Sequence, residues 1–212
     1  MKVSEFTVEL VPHSQIRWFV KKHHYSGSTR GLHISYCFGL FSEDKFGIPK
    51  MIGVMIYGLP AMPGVGAKYY PKDPDVVLEL NRLCCIDDTP TNTESFFIGQ
   101  TLQWLKRNTK YRVIVSFADT AQGHEGVIYK ATNFMHFGMT GGATQLIADG
   151  EIYHSRMLSK KCPKFESIKR RRLAGDPDIT TKVLPSKHIY VYALGKGIKK
   201  EVLAICPDSS TG

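Results

Sequence analysis

The sequence predicts an α/β fold with a mixed central sheet, and three observations carry that prediction. Strand-like and helix-like runs alternate as far as Asn133, the pattern of helices packed on a sheet. Met51 to Leu59 (MIGVMIYGL) is almost continuously apolar, as a central strand covered on both faces must be. Beyond Asn133 the pattern turns strand-rich around Asp149-Gly150, a dipeptide suited to a tight hairpin turn.

Each element has its own signal. Phe6 to Leu10 alternates weakly and reads as a first strand. Pro12 opens a helix with Ile16, Phe19 and Val20 at helical spacing, and Gly27 serves as its stop. Ile34 to Phe41 and Met51 to Leu59 are strands joined by a polar turn. Residues 60–75 are rich in Pro and Gly and read as an irregular loop. Val76 to Ile86 is the next strand. Thr91 and Glu94 have the spacing of a capping box, which starts a helix running to about Arg107. Arg112 to Phe117 is a strand, residues 124–133 a short helix with Asn133 as its stop, and His188 to Leu194 a last strand. The whole of residues 1–206 is expected to be one domain with a basic insert at about 151–187, followed by a disordered tail at 207–212.

The chain has 212 residues, 42% hydrophobic and 22% charged, enough apolar surface for a buried core. No apolar run reaches the length of a membrane span, and MKVSEFTVELVPHSQ lacks the apolar stretch of a signal peptide. Five cysteines without CxxC spacing point to neither a disulfide framework nor a structural zinc site, and fit a reducing cytoplasm. The net charge is +9 with a pI of about 9.3. Eight cations fall between Glu151 and Arg172: Arg156, Lys160, Lys161, Lys164, Lys169, Arg170, Arg171 and Arg172. Glu151 and Glu166 alone oppose them in that stretch. Such a cluster implies a polyanionic partner; a solvated surface is the plainer alternative. A membrane surface is disfavoured because no clear amphipathic helix accompanies the charge.

The strand at 76–86 holds an anomaly. Strict alternation puts Glu79, Asn81, Leu83 and Cys85 on one face, and Leu78, Leu80, Arg82, Cys84 and Ile86 on the other. Arg82 then interrupts an apolar face. An unpaired buried guanidinium is too costly, so Arg82 has a fixed anionic partner or a β-bulge that turns it out; the plainer alternative is an arginine at the sheet rim reaching water. The next strand leads through Ser116 to Asp119. A carboxylate just past a strand end suits catalysis in an open sheet, and equally suits a helix cap.

The segments WFVKKHHYSG (18–27), ELNRLCCIDDTPTNTESFFIG (79–99) and VSFADTAQGHEGVIYKATNFMHFG (115–138) together resemble the Mom-type DNA-adenine modification proteins, within the GNAT acyltransferase superfamily. The resemblance covers roughly residues 12–140 and the final strand. It implies a GNAT-like sheet, splayed between the strands at 76–86 and 112–117. It also implies a transferase that adds a carbamoylmethyl group to the exocyclic amine of adenine in double-stranded DNA, protecting phage DNA from restriction in a bacterial host cytoplasm. Asp119 would act as base or hold the amine hydrogens, and Tyr129 would protonate the leaving group. Arg82 would stabilise the oxyanion, and His24 and Tyr25 would position the base; Asn81 and Ser116 complete the expected set. The donor region is DDTPTNTES, with Thr91, Asn92, Thr93 and Ser95 at the helix N-terminus. It has no glycine and carries Asp87 and Asp88, unlike the glycine-rich loop that binds the coenzyme A pyrophosphate in GNAT enzymes. An aminoacyl donor such as glycyl-tRNA is therefore favoured over acyl-CoA, which makes tRNA a second expected partner. A homodimer stays open. Metal content stays open too, since His, Asp and Tyr ligands exist but no spacing demands an ion. An ordinary acetyltransferase and a non-catalytic nucleic-acid-binding protein are the alternative classes.

Overall fold

In the computed structural model, which describes residues 2–154 and 161–206, the apolar runs become ten strands and six α-helices. Strands β1 (Thr7–Leu10), β2 (His33–Glu43), β3 (Pro49–Leu59), β4 (Val77–Cys85), β5 (Val113–Asp119), β6 (Met135–Met139) and β10 (Lys187–Ala193) form one sheet. Its order is β1-β2-β3-β4-β5-β10-β6. The first four strands are antiparallel; β4 and β5 are parallel, joined by the crossover helix α3 (Thr93–Asn108). The sheet is therefore mixed, as expected.

Each face of this sheet has its own cover. On one, Phe97, Ile98, Leu102 and Leu105 of α3 pack against Phe38, Tyr57, Leu78, Leu80 and Ile114. On the other, Ile16, Phe19 and Val20 of α1 (His13–His23) pack on Cys37, Val54 and Ile56. That second face is also covered by α2 (Val65–Tyr69) and α6 (Lys196–Leu203), whose Val65, Tyr69 and Val202 meet Val113, Val115 and Val191. Double coverage explains the unbroken apolar run of β3.

The chain divides into two compact units. The sheet just described belongs to the first: residues up to Ala118, Gly126–Gly138, and from Ile189 onward. The second comprises Asp119–Glu125 and Met139–His188. It holds β7 (Ala143–Ala148), β8 (Glu151–His154) and β9 (Ile179–Leu184) in the order β8-β7-β9, with α5 (Pro163–Leu173). Asp149 and Gly150 both have positive φ, 53° and 74°, which is the turn the dipeptide predicts.

Several sequence expectations need correction. The 60–75 loop contains α2, because Val65 and Tyr69 bury themselves and Gly64 supplies a left-handed start at φ 84°. The capping box does not form. α3 starts after Asn92, whose φ of 71° replaces a side-chain cap, and the Thr93 hydroxyl donates back to the Pro90 carbonyl at 2.7 Å. The helix expected over 124–133 shrinks to α4 (Val127–Ala131), led in by Gly126 at φ 73°; Asn133, at φ 62°, is its stop. β9 and α6 were not foreseen. Nor was α5, which is amphipathic: Phe165 and Ile168 are buried against Leu146 and Tyr153. Its apolar side is occupied by the protein's own hairpin.

Candidate active site

The parallel pairing of β4 with β5 runs only from Val77↔Val113 to Leu80↔Ser116. Beyond that point β4 continues to Cys85 paired with β3 alone, and β5 continues to Asp119 without it. The two strands splay from Leu80 and Ser116 onward.

A bulge sits at the same place. Tyr57 pairs with Leu80 and Ile56 with Arg82, so Asn81 has no counterpart on β3. The extra residue reverses the faces beyond it. Leu80, Leu83 and Cys85 stay with the α3-side core, while Cys84 joins the α1-side core. Arg82 follows Ile56 to that second face, so the strict-alternation assignment fails from Asn81 onward. The bulge alternative resolves the Arg82 anomaly, and no carboxylate is needed. The Arg82 guanidinium donates from Nη1 to the Asn81 carbonyl at 2.7 Å and from Nε to the Ser28 carbonyl at 3.4 Å.

The bulge leaves a polar group unsatisfied. Both side-chain atoms of Asn81, Oδ1 and Nδ2, are buried and have no hydrogen-bond partner among the described residues. Buried amides without partners are uncommon, because the lost hydration costs about 1–3 kcal/mol. Gly58 makes room for this side chain: a Cβ there would stand 2.7 Å from Asn81 Oδ1 and 2.2 Å from the His33 carbonyl oxygen.

Across the splay, the Ser116 hydroxyl lies 3.1 Å from the Leu80 carbonyl and 2.8 Å from the Tyr129 phenol oxygen. The Ser116 hydroxyl is placed to donate to either oxygen, and its single proton serves one of them at a time. Burial pushes the Tyr129 phenol up to about 12; Tyr25 and Tyr190 add to the rise, and the Ser116 bond opposes it. Tyr129 is thus a protonated donor at neutral pH. Its ring stacks on Tyr190 at 5.0 Å, and a Cβ at Gly126 would stand 2.1 Å from that Tyr190 ring. Close backbone approach at Gly126 therefore sets α4, and with it Tyr129.

The HHYSG segment closes the arrangement. His24 Nδ1 accepts from the Ser26 amide at 3.1 Å, which leaves its other ring nitrogen to carry the proton in the neutral form. The His24 ring lies 4.3 Å from that of Tyr25, which is 52% exposed. Ser28, in the same loop, receives Arg82. Within the first unit, His24, Tyr25, Asn81, Arg82, Ser116 and Tyr129 are thus linked around the splay. Burial raises the Cys84 thiol to about 12 and raises Cys85 as well, so both thiols stay protonated.

Asp119 belongs to the second unit. Its carboxylate accepts from the Ala121 amide at 3.1 Å, capping the turn Thr120–Gln122, and from Lys187 Nζ at 2.8 Å. Burial alone would raise its carboxyl. The Lys187 hydrogen bond and charge, with the Ala121 amide, outweigh that and hold it below the usual carboxylate range. Lys187 escaped the sequence reading, since no local pattern announces a partner so far along the chain.

At the expected donor site Thr91 and Asn92 are exposed, Thr93 is buried, and Ser95 donates to the Asn92 carbonyl at 3.0 Å. Asp87 and Asp88 are exposed beside this helix start, and Glu94 lies in its first turn. Of the basic insert, Arg156 and Lys160 lie outside the described residues. Lys164 pairs with Glu151 at 3.0 Å and Lys169 with Glu166 at 2.8 Å. Arg171 forks onto Asp149 at 2.8 Å and reaches Asp176 at 2.7 Å. Lys161, Arg170 and Arg172 are exposed and have no ion pair among the described residues. No group of three or more His, Cys, Asp or Glu that could hold a metal occurs among the described residues.

Residues 5–207 match the Mom protein family. The chain belongs to that family. It is 32% identical over 153 residues to the methylcarbamoylase Mom of Escherichia phage Mu. The match takes in 71% of this chain and 60% of the phage Mu Mom protein, so the chain spans about three fifths of its relative's length. Among solved structures, Arabidopsis thaliana NAA60 in complex with acetyl-CoA superposes with a TM-score of 0.50 and 7% identity, covering 89% of this chain and 98% of that one. The spermidine/spermine N-acetyltransferase SpeG of Vibrio cholerae gives 0.49 and 8%, covering 93% and 98%. The splayed mixed sheet is a GNAT fold, as the Mom resemblance implied.

Proposed function

We propose that this protein is a group transferase that places a carbamoylmethyl group on the exocyclic amine of adenine in double-stranded DNA, protecting phage DNA from restriction. The observation that carries the reading is the buried Tyr129–Ser116 pair at the splay, with the unpartnered Asn81 amide one residue beyond Leu80. Family membership and the phage Mu relative support the same reading.

The adenine amine is nearly non-basic because its lone pair is delocalised into the ring. Its proton therefore leaves to solvent as the new nitrogen–carbon bond forms, and solvent returns to Tyr129 the proton that the leaving group takes. With a glycyl ester as donor, the amine attacks the ester carbonyl and the tRNA oxygen leaves from that carbon with a proton from Tyr129, whose high pKa keeps that proton available. The first product is the glycyl amide of adenine, and its isomer, the carbamoylmethyl group, forms when the free glycyl amine displaces the amide nitrogen at the adenine ring carbon. Asn81 offers a donor and an acceptor to the carbonyl and amine of a glycyl group. Arg82 is fixed by two carbonyls; its remaining donors can steady developing negative charge. Tyr25 and His24 present rings against which an extruded base can stack. Asp119 follows Ser116 by three residues along the chain. Held ionised by Lys187, it suits holding amine hydrogens better than abstracting one.

The donor is an aminoacyl-tRNA such as glycyl-tRNA in preference to acyl-CoA. The α3 N-terminus carries Asp87, Asp88 and Glu94 and has no glycine to let amides wrap a pyrophosphate. Lys161, Arg170 and Arg172, with Lys182 on β9, are the exposed cations of the insert without an ion pair among the described residues, and they are left for DNA phosphates. No described helix is long and apolar enough to cross a membrane; the proposed place of action is the host cytoplasm.

Nucleoside mass spectrometry of DNA from cells expressing the protein tests the reaction. A modified adenosine is expected with the wild type and absent with Tyr129→Phe. Unmodified DNA in both would overturn the reading. Calorimetry with acetyl-CoA should show weak binding or none, and micromolar binding would restore the acyl-CoA donor.

A further inference from the structure

Between Glu9 and Glu43 there is no Asp or Glu, the longest acid-free run in the chain, and it contains Arg17, Lys21, Lys22 and Arg30. All four are exposed, and none is in an ion pair among the described residues. Three of them converge. Arg17, Lys21 and Arg30 line a groove of about 650 Å³ between α1 and residues 27–30, together with Trp18. Trp18 is 53% exposed, although its ring edge rests on Phe19 at 5.5 Å. A large ring left half in water on a helix that buries Ile16, Phe19 and Val20 is not placed there by core packing.

The groove is also built to keep its shape. His13 Nε2 and Thr29 Oγ1 are 3.0 Å apart and tie the start of α1 to the opposite wall. The Arg30 amide donates to Ser28 Oγ at 3.0 Å. The Ser28 carbonyl accepts from Arg82. One wall of the groove is thus the back of the loop that carries His24 and Tyr25 to the splay.

Free cations around an exposed, edge-anchored ring match the needs of an unpaired nucleic-acid strand, which offers phosphates and open base faces together. We propose that this groove is the track for the DNA strand carrying the target base. Arg17, Lys21 and Arg30 contact its phosphates, and Trp18 stacks on an unpaired base flanking the extruded one. The inference rests on the DNA-transferase reading for the identity of the strand. It differs from the expectation that the 156–172 segment carries the phosphate contacts.

The test measures affinity for a labelled single-stranded oligonucleotide across salt concentrations. Three proteins are compared: wild type, Arg17→Gln/Lys21→Gln/Arg30→Gln, and Arg170→Gln/Arg172→Gln. Because all five side chains are exposed, circular dichroism melts should coincide and show that each protein folds. The groove variant should lose about two units of log–log salt slope, near 0.7 per phosphate contact on a single strand. Trp18→Ala should weaken binding with the slope unchanged, since stacking releases no counterions. In a Trp104→Phe background, oligonucleotide binding should quench Trp18 emission. A wild-type slope in the groove variant, or unchanged Trp18 emission at saturation, would overturn the proposal. So would a slope change seen with transfer RNA but not with DNA, which would assign the groove to the donor. Nucleoside mass spectrometry separates the two readings: unmodified DNA together with the slope change would sink the chemistry and leave the groove as a DNA track.

Discussion

Two helices of 11 residues, α1 and α5, each carry a cluster of cations, and they use them in opposite ways. On α5, Lys164, Lys169 and Arg171 are all bonded to carboxylates of their own unit. Arg170, Arg171 and Arg172 also occupy its last turn, where positive charge complements the helix dipole. On α1 no acidic residue is present, and Arg17 and Lys21 line a groove. A run of Lys and Arg in a sequence therefore counts charges without counting how many are free. The α5 segment looks stronger by number, and α1 offers more unpaired charge per turn. The two units differ in the same way in their polar groups. Around the splay, the first leaves an amide without a partner among the described residues, while the second closes its hairpin with the bidentate Arg171–Asp149 pair.

The largest expected effect breaks the splay chemistry alone. Tyr129→Phe keeps the stacked ring on Tyr190 and removes only the phenol proton. Transfer should fall by about 100-fold or more, the range for a lost general acid, while the unfolding free energy changes by only about 1 kcal/mol, one hydrogen bond. Single-turnover assays and urea titration of the same protein check both. A similar loss in Ser116→Ala with an intact Tyr129 would shift the role to the serine.

Next in size is Gly126→Ala. The new Cβ would stand 2.1 Å from the buried Tyr190 ring, on a backbone with φ of 73°. Overpacking and left-handed strain together should cost roughly 2–4 kcal/mol, read by urea denaturation. Because α4 is only five residues long, Tyr129 should move with it, and activity should fall further than stability alone explains.

Much of the fold was legible because burial writes itself into period. The unbroken β3 run, the Ile16, Phe19 and Val20 stripe of α1 and the Asp149-Gly150 turn each follow from one local rule. The site was legible in part. Arg82 on an apolar face signalled an anionic partner or a bulge without choosing between them; the bulge at Asn81, and so the exchange of faces for Arg82, Leu83, Cys84 and Cys85, depends on pairing with β3. Asp119 was visible as a strand-end carboxylate; its partner Lys187 was not, since tertiary folding alone brings them together. The start of α3 was misread because Asn92 adopts a left-handed conformation where Thr91 and Glu94 spell a capping box. α5 hid behind its own charge, with Phe165 and Ile168 too few to mark a helix among so many cations.

A smaller effect sharpens the contrast between the helices. Arg171→Ala removes the fork onto Asp149 and the bond to Asp176, which together hold the hairpin turn to the end of α5. Amide exchange should accelerate at β7 and β8 and stay unchanged in α3. Uniform acceleration in both would show that the second unit opens only with the whole chain.

Acid provides the gentlest test. In the second unit, Asp119, Asp149, Glu151 and Asp176 all have lowered pKa values. Burial works against the shift at Asp119, where Lys187 prevails; hydrogen bonds from Arg171 lead at Asp149 and Asp176, and one from Tyr153 leads at Glu151, with Lys164 adding to it. In the first unit Glu201 is lowered by the Tyr70 hydroxyl and Lys72. A carboxylate with a depressed folded pKa stabilises the fold fully above its unfolded value. That contribution is lost as pH falls through the folded value, because the unfolded chain takes up its proton first. Stability from these groups is therefore complete above about pH 5 and declines below pH 4, near the ordinary carboxylate pKa values. Four such groups against one predict that amide and side-chain resonances of the second unit, Tyr153 among them, broaden or shift at a higher pH than those of the α3 core. Most of these pairs are exposed, so solvent screens them and the separation should be small. Added salt should narrow it further. Simultaneous loss of both sets at one pH would mean that the ion pairs of the second unit contribute nothing to its separate stability.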